Sequence, residues 1–234
     1  CEMWADRFIN HDDRLAVVEG NVSMSFLPLS HVYERMWVAY VFHKGVINCY
    51  LDDTNRVAEA LKEVKPHYMC VVPRLLEKIY TKIYENVQKQ SVLKRVVFAT
   101  ATRIAKIQLG RTKKGKYPSF ILKKLYNLAD KLVFQKLKAA LGGNIQMIPC
   151  GGALLEPSIG RFFRAIGVNV TLGYGMTETT ATVSCWDDHK FKLKSVGTLV
   201  PYVQAKIGQD NEILLKGGSI SKGYYNNPEE NAKA

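Results

Sequence analysis

The sequence predicts an α/β fold: a doubly wound, mainly parallel sheet with a helical insertion and a β-rich C-terminal subdomain. Three observations carry this expectation. Short apolar runs alternate with helical periodicities over residues 22–90, and the alternation resumes at 144. Residues 91–143 interrupt it with helical spacing alone. After Glu178 only short, strand-like runs follow.

Taken in order, Cys1, Trp4, Ala5, Phe8 and Ile9 have helical spacing, and Asp12, Asp13 and Arg14 mark a loop. Residues 22–29 read as a strand ended by Pro28. A helix over 33–44 follows, stopped by Gly45. Residues 46–51 form a second strand, 55–65 a helix closed by Pro66, and 68–72 a third strand. Pro73 suits a first helical turn, and Leu75, Leu76, Ile79, Ile83 and Val87 form that helix's apolar stripe.

Residues 91–140 suggest two helices around a basic loop at 110–118. Leu122, Leu125, Leu128, Leu132 and Leu137 line the second helix. Then come a strand at 145–149, a glycine turn at Gly151 and Gly152, and a helix opened by Pro157. Its apolar face is Ile159, Phe162, Phe163 and Ile166, with Gly167 as its cap. A strand at 168–172 runs into Gly173. Short strands at 182–186, 202–207 and 212–216 complete the tail as a barrel-like subdomain, with a hairpin turn at Asp210-Asn211. The expected boundaries are an α/β subdomain (1–90), a basic helical insertion (91–143), a nucleotide-site segment (144–186) and a β-rich subdomain (187–234).

Charge and cysteine usage narrow the function classes. The net charge is +12, yet residues 88–140 alone hold 14 Lys and Arg against one acid, Asp130. The basic character therefore belongs to one segment. That segment offers a solvated face or a peripheral membrane surface. Nucleic acid is the weaker partner, because aromatic interleaving is limited to Tyr117, Phe120 and Tyr126. The five cysteines stand apart without a C-x-x-C pair, which points to reduced, buried thiols in a cytoplasmic protein.

The chemistry concentrates where the strand at 168–172 breaks. Gly173 and Gly175 permit close approach to the backbone. Thr177 and Glu178 then place a hydroxyl and a carboxylate at the carboxyl end of a strand. There they could meet a phosphate and Mg²⁺, a cation that favours one or two carboxylates plus phosphate oxygens. Two successive strands ending in glycine turns make a coherent nucleotide pocket in an open α/β sheet.

Four stretches carry a resemblance. Gly173-Tyr-Gly-Met-Thr-Glu178 resembles the signature of the acyl-adenylate-forming (AMP-binding) enzymes. Leu27-Pro-Leu-Ser-His-Val-Tyr-Glu-Arg35 is similar to their upstream core motif in the form typical of long-chain fatty-acid–CoA ligases. Gly151-Gly-Ala153 resembles the adenine-side loop, and the run from Gly217 to Pro228 a later glycine/tyrosine motif. The resemblance implies ATP-dependent activation of a fatty acid to acyl-AMP and transfer to CoA, with ATP, Mg²⁺ and CoA as cofactors.

It further implies roles. Thr177 would bond the AMP phosphate and Glu178 would hold Mg²⁺. Tyr174 would pack on adenine, with Gly151, Gly152, Ala153 and Gly173 beside it. Gly175 would admit the acyl-adenylate carbonyl, and His31 would sit near the carboxylate. Glu34 and Arg35 would form a structural ion pair, Tyr224 and Tyr225 would pack, and Lys222 would be solvated. The family's phosphate loop, its ribose-binding aspartate and its C-terminal domain fall outside residues 1–234. The chain is thus expected to be a core fragment, inactive alone. The rival readings are a basic lipid- or nucleic-acid-binding module on a degenerate fold, or a ligase for shorter or aromatic acids.

Overall fold

The computed structural model describes residues 17–113, 115–186 and 191–233. The helical spacing at residues 1–9 and the loop at 12–14 lie outside them. Five parallel strand positions form the centre of the molecule. β1 (Val22–Ser25) pairs in parallel with β2 (Ile47–Tyr50) through the register Val22 to Ile47. On its other side β1 meets residues 68–71, where Met24 N–H donates to the Tyr68 carbonyl at 3.0 Å. These residues in turn meet β3 (Ile148–Cys150), with Val71 N–H donating to the Pro149 carbonyl at 2.9 Å. β3 pairs in parallel with β4 (Val170–Met176).

The expected third strand is thus present, as isolated parallel bridges at Tyr68 and Val71. Tyr68, Met69, Cys70 and Val71 are all buried, as a central strand covered on both faces must be. The chain runs outward from β1 to β2 and then returns to the opposite side of β1. The reversal puts a crevice beyond the carboxyl ends of β1 and residues 68–71, the usual ligand position in such sheets.

Helices cover the sheet. α1 (Val32–His43) connects β1 to β2, and Gly45 takes the left-handed conformation just after it (φ +66°). α2 (Val57–Val64) ends with Lys65 left-handed before Pro66. α3 (Pro73–Gln88) starts at its proline; Leu76 is buried, and Leu75, Ile79, Ile83 and Val87 pack beside it as their spacing requires. α4 (Val92–Thr112) and α5 (Phe120–Ala129) form the insertion. A π-helical turn (Asp130–Phe134) leads from α5 into α6 (Gln135–Ala139). α7 (Pro157–Ala165) buries Phe162 and Phe163, and its first turn is capped by the Glu156 carboxylate, which accepts from Ser158 N–H at 2.7 Å.

One stripe is corrected. In the second insertion helix Leu125, Leu128 and Leu132 are exposed, whereas Ala129 and Phe134 are buried and Tyr126, Val133 and Leu137 pack against the core. This helix has a broad apolar surface, so spacing alone did not select a face. The extra residue of the π turn then makes the buried step from Ala129 to Phe134 five residues long, rotating the later face.

The tail also differs from a barrel. β5 (Ala181–Cys185) and β6 (Thr198–Leu199) extend the main sheet in antiparallel fashion beyond β4. β7 (Val203–Ile207) and β8 (Ile213–Gly217) form a separate two-stranded hairpin. Asp210 and Asn211 are both left-handed at its turn (φ +55° and +62°), a conformation these two side chains tolerate. A short helix, α8 (Pro228–Lys233), follows.

Candidate active site

The β4–β5 hairpin positions the central residues. Its register slips between Tyr174 and Gly175, and a Cβ on Gly175 would stand 1.6 Å from the Ala181 carbonyl oxygen. Only glycine therefore lets the two backbones meet here. Gly175, for which the resemblance implies the approach of a ligand carbonyl, also admits the chain's own β5. Thr180 and Ala181 are left-handed without being glycine (φ +51° and +73°), which concentrates strain at this turn. Buried Thr179 holds the turn together: its hydroxyl accepts from Met176 N–H at 2.9 Å and lies 2.8 Å from the Ala181 carbonyl it can donate to.

The strand ends converge on a cavity of about 400 Å³. Leu27, Pro28 and His31 enter from the segment after β1, Val72 from the end of residues 68–71, Gly151 and Gly152 from the turn after β3, and Gly173, Gly175 and Thr177 from the hairpin. Thus His31, Gly151 and Thr177, far apart in sequence, share one wall. His31 precedes the first residue of α1 in extended conformation and does not cap the helix with its side chain. A second cavity of about 350 Å³ adjoins the first and shares Gly152, Gly173 and Gly175 with it. Ala153, Leu154, Leu172, Tyr174 and Val196 complete its lining. Every residue of the glycine-turn and hairpin motifs singled out from sequence lines one cavity or the other, except Glu178.

Glu178 follows Thr177 outside both linings, and there the structure adds Tyr224, read from sequence as packing. Tyr224 hydroxyl donates to Glu178 Oε1 at 2.8 Å, and this bond holds the carboxyl below the usual carboxylate range. Tyr225, also read as packing, is fully exposed (100%). Lys222 is exposed as expected. Neither the glycine spacing nor the charge pattern marked Tyr224, since its contact spans 46 residues.

Glu34 is the other correction. It makes no ion pair with Arg35. Successive positions on a helix point about 100° apart, and Arg35 lies exposed with its Nε donating to the Leu29 carbonyl at 3.0 Å. Glu34 is wholly buried in the cavity wall, and neither carboxylate oxygen makes a hydrogen bond of good geometry, the Ser25 hydroxyl and the Phe26 backbone being its polar neighbours. Burial pushes its pKa up to about 7, with the Ser25 side chain and the Phe26 backbone drawing it partly back. Beside it, burial raises the Tyr33 hydroxyl and the Cys70 thiol well above their ordinary values and Cys150 up to about 12. Burial thus opposes negative charge on the Tyr33 and Glu34 side chains that line the cavity, and Glu34 carries less charge near neutral pH than an exposed carboxylate would.

The donor set also bears on a cation. Among the described residues no group of three or more His, Cys, Asp or Glu side chains is placed to hold a metal. One carboxylate next to a hydroxyl fits a divalent ion that keeps phosphate and water oxygens for most of its shell.

An open parallel α/β sheet with glycine turns lining a cavity past its strand ends defines a nucleotide-binding class of enzyme fold. The sequence comparison makes the class specific: the model of the AMP-binding enzyme family matches residues 2–225, and the chain belongs to that family. Among curated relatives, the long-chain-fatty-acid–CoA ligase FadD15 of Mycobacterium bovis is 32% identical over 92% of this chain and 36% of its own length. Long chain acyl-CoA synthetase 1 of Arabidopsis thaliana is 32% identical over 97% of this chain and 35% of its own. The chain thus spans about a third of the length of these relatives. Solved structures share the fold. The N-terminal domain of FACL13 from Mycobacterium tuberculosis superposes with a TM-score of 0.61 at 17% identity, covering 98% of this chain and 48% of that one. The o-succinylbenzoate coenzyme A synthetase of Bacillus subtilis, solved with ATP and magnesium ion, gives 0.58 at 15% identity over 99% and 39%.

Proposed function

We propose that these residues form the adenylation site of a long-chain fatty-acid–CoA ligase. The observation that carries the reading is the shared cavity of His31, Gly151, Gly152, Gly173, Gly175 and Thr177, with Glu178 directly after Thr177. In the reaction a fatty-acid carboxylate oxygen attacks the α-phosphorus of ATP. A phosphorus–oxygen bond forms, the bond to pyrophosphate breaks, and acyl-AMP results. A CoA thiolate then attacks the acyl carbonyl, forming the thioester and expelling AMP.

The protein's part is positioning and charge neutralisation. Thr177 would donate to the AMP phosphate. Tyr174, Gly152 and Ala153 line the second cavity, which suits a flat adenine. His31 faces the junction where the carboxylate and phosphate meet. The buried lining at Tyr33, Glu34 and Val72, where burial opposes charge, suits the head of an acyl chain. Magnesium, held by Glu178, would neutralise phosphate charge.

The insertion supports a second element of the reading, a peripheral site on an anionic membrane, from which such a substrate is drawn. On α4 and α5, Val92, Leu93, Val96, Phe120, Ile121 and Leu128 are all more than half exposed. A groove of about 740 Å³ between α3 and α4 places Val92, Val96 and Ile107 beside Arg95, Arg103 and Lys106. The segment's only acid, Asp130, is bonded to Lys138 at 2.6 Å. Exposed apolar side chains among unopposed cations match an anionic lipid surface. No described helix is long and apolar enough to cross a membrane.

The test is ATP–pyrophosphate exchange by the complete protein that contains these residues, with palmitate, octanoate and benzoate compared. Glu178→Gln is expected to lower the exchange rate by about 100-fold or more, and palmitate to be the best substrate. An unchanged rate in the variant would overturn the assignment and favour a binding module. A preference for benzoate would move it to another acid class.

A further inference from the structure

The loop after β8 is tied to the end of the β4–β5 hairpin at three points. Ser221 N–H donates to the Glu178 carbonyl at 2.7 Å. The Thr180 hydroxyl donates to the Ser219 carbonyl at 2.7 Å. The Tyr224 hydroxyl donates to Glu178 Oε1 at 2.8 Å. Two of these bonds fix backbone and one reaches the carboxylate itself. Together they lock a turn whose own conformation is strained at Thr180 and Ala181.

Tyr224 is itself held from the other side. Its backbone N–H donates to Asn231 Oδ1 at 2.6 Å, and Asn231 Nδ2 donates back to the Tyr224 carbonyl at 2.9 Å. The asparagine belongs to α8, whose start is fastened to the same loop through Asn231 N–H and the Asn227 carbonyl at 3.1 Å. The bend that turns the tyrosine toward the hairpin occurs at Gly223 (φ +127°), where a Cβ would meet Asn231 Oδ1 at 2.6 Å. The ring is 42% exposed and so contributes little as a core residue. What its position serves is the hydroxyl.

We propose that Tyr224 is a positioning residue for Glu178: its hydroxyl fixes Oε1 and so restricts the rotamers of the carboxylate that would meet a divalent cation. The inference rests on the reading of Glu178 as a cation-holding residue. A free glutamate samples many rotamers, and ordering such a side chain costs of the order of 1 kcal/mol or more. A hydrogen bond that orders it beforehand lowers the cost of forming the cation site. Because the donor is neutral, it does this without the repulsion that a lysine or arginine would exert on the metal.

The experiment is calorimetric binding to the complete protein of ATP, with and without Mg²⁺, and of AMP without metal. Tyr224→Phe keeps the ring and removes only the hydroxyl. The expected result is a three- to tenfold weaker Mg²⁺ dependence of ATP binding, with metal-free AMP binding and thermal midpoint unchanged. Adding Tyr224→Phe to Glu178→Gln is expected to cause no further weakening, since the tyrosine acts through the carboxylate. The inference is overturned if Tyr224→Phe leaves the Mg²⁺ dependence intact. It is equally overturned if AMP binding and the thermal midpoint fall in parallel, which marks a structural strap only. If Glu178→Gln itself leaves the Mg²⁺ dependence unchanged, the reading of Glu178 fails instead and this inference with it. A loss in Glu178→Gln without one in Tyr224→Phe isolates the failure to Tyr224.

Discussion

Replacing Glu34 by glutamine removes a titratable group whose ionisation the fold opposes, and the effect can be sized from its surroundings. Glu34 is 0% exposed, its oxygens make no hydrogen bond of good geometry, and burial raises its pKa from 4.5 to about 7. At about 1.4 kcal/mol for each tenfold change in proton affinity, the elevation corresponds to about 3 kcal/mol. The sign follows from linkage. With the folded pKa above the unfolded one, stability is greatest below about pH 4.5 and is lost as the pH rises through 7. Glutamine has the same shape and cannot ionise, so the variant escapes that loss. Its stability relative to wild type is expected to be about 2–3 kcal/mol more favourable at pH 8 than at pH 5. Urea denaturation at half-unit pH intervals measures this directly. Parallel curves for the two proteins, or a glutamine variant that is relatively weaker at pH 8, would refute the reasoning. Either would mean that the carboxylate is ionised and partnered in the folded state.

Three further outcomes are expected. Gly175→Ala sets a methyl group 1.6 Å from the Ala181 carbonyl oxygen, so the hairpin must shift. A loss of about 2 kcal/mol or more in unfolding free energy should accompany weaker AMP binding. Arg164 is 9% exposed, stacks on Phe191 at 4.0 Å and donates to the Val170 carbonyl at 2.8 Å and Asn169 Oδ1 at 2.8 Å. Lysine reproduces neither the planar stack nor the forked bonds, so Arg164→Lys should cost about 2–4 kcal/mol in chemical denaturation. Val92→Asp with Val96→Asp should reduce flotation on phosphatidylglycerol vesicles severalfold and leave exchange on a detergent-solubilised acid unchanged. Flotation equal to wild type would remove the insertion from membrane binding.

Much of the fold was legible because its signals are local. Pro73 and Pro157 mark helix starts, and Gly45 and Gly167 mark helix ends. The run at Tyr68–Val71 is apolar throughout, and Val168, Val170 and Leu172 are apolar in the other, because the strands are covered. The Asp210-Asn211 turn was legible for a similar reason, as both residues accept the left-handed conformation the hairpin requires. The insertion was harder. Its second helix has a broad apolar surface, and the part it buries depends on a π turn that no composition announces.

The site divides along the same line. Residues in contiguous motifs, such as Gly151 with Gly152 and Gly173 through Thr177, were recognisable and do converge. The inward turn of Glu34 depends on packing against the sheet, and the bond from Tyr224 to Glu178 depends on how a loop 46 residues away folds back. Neither is encoded by spacing. The approach of β5 to Gly175 was not legible, since glycine in a sequence reports that something approaches without saying what.

The measurement closest to the central claim is a crystal structure of the complete protein with an unreactive palmitoyl-adenylate analogue. The adenine is expected against Tyr174 and Ala153, the phosphate mimic within hydrogen-bond reach of Thr177, and the first carbons of the chain between His31 and Val72. An analogue bound elsewhere, with the cavity between Gly151 and Thr177 left open, would contradict it.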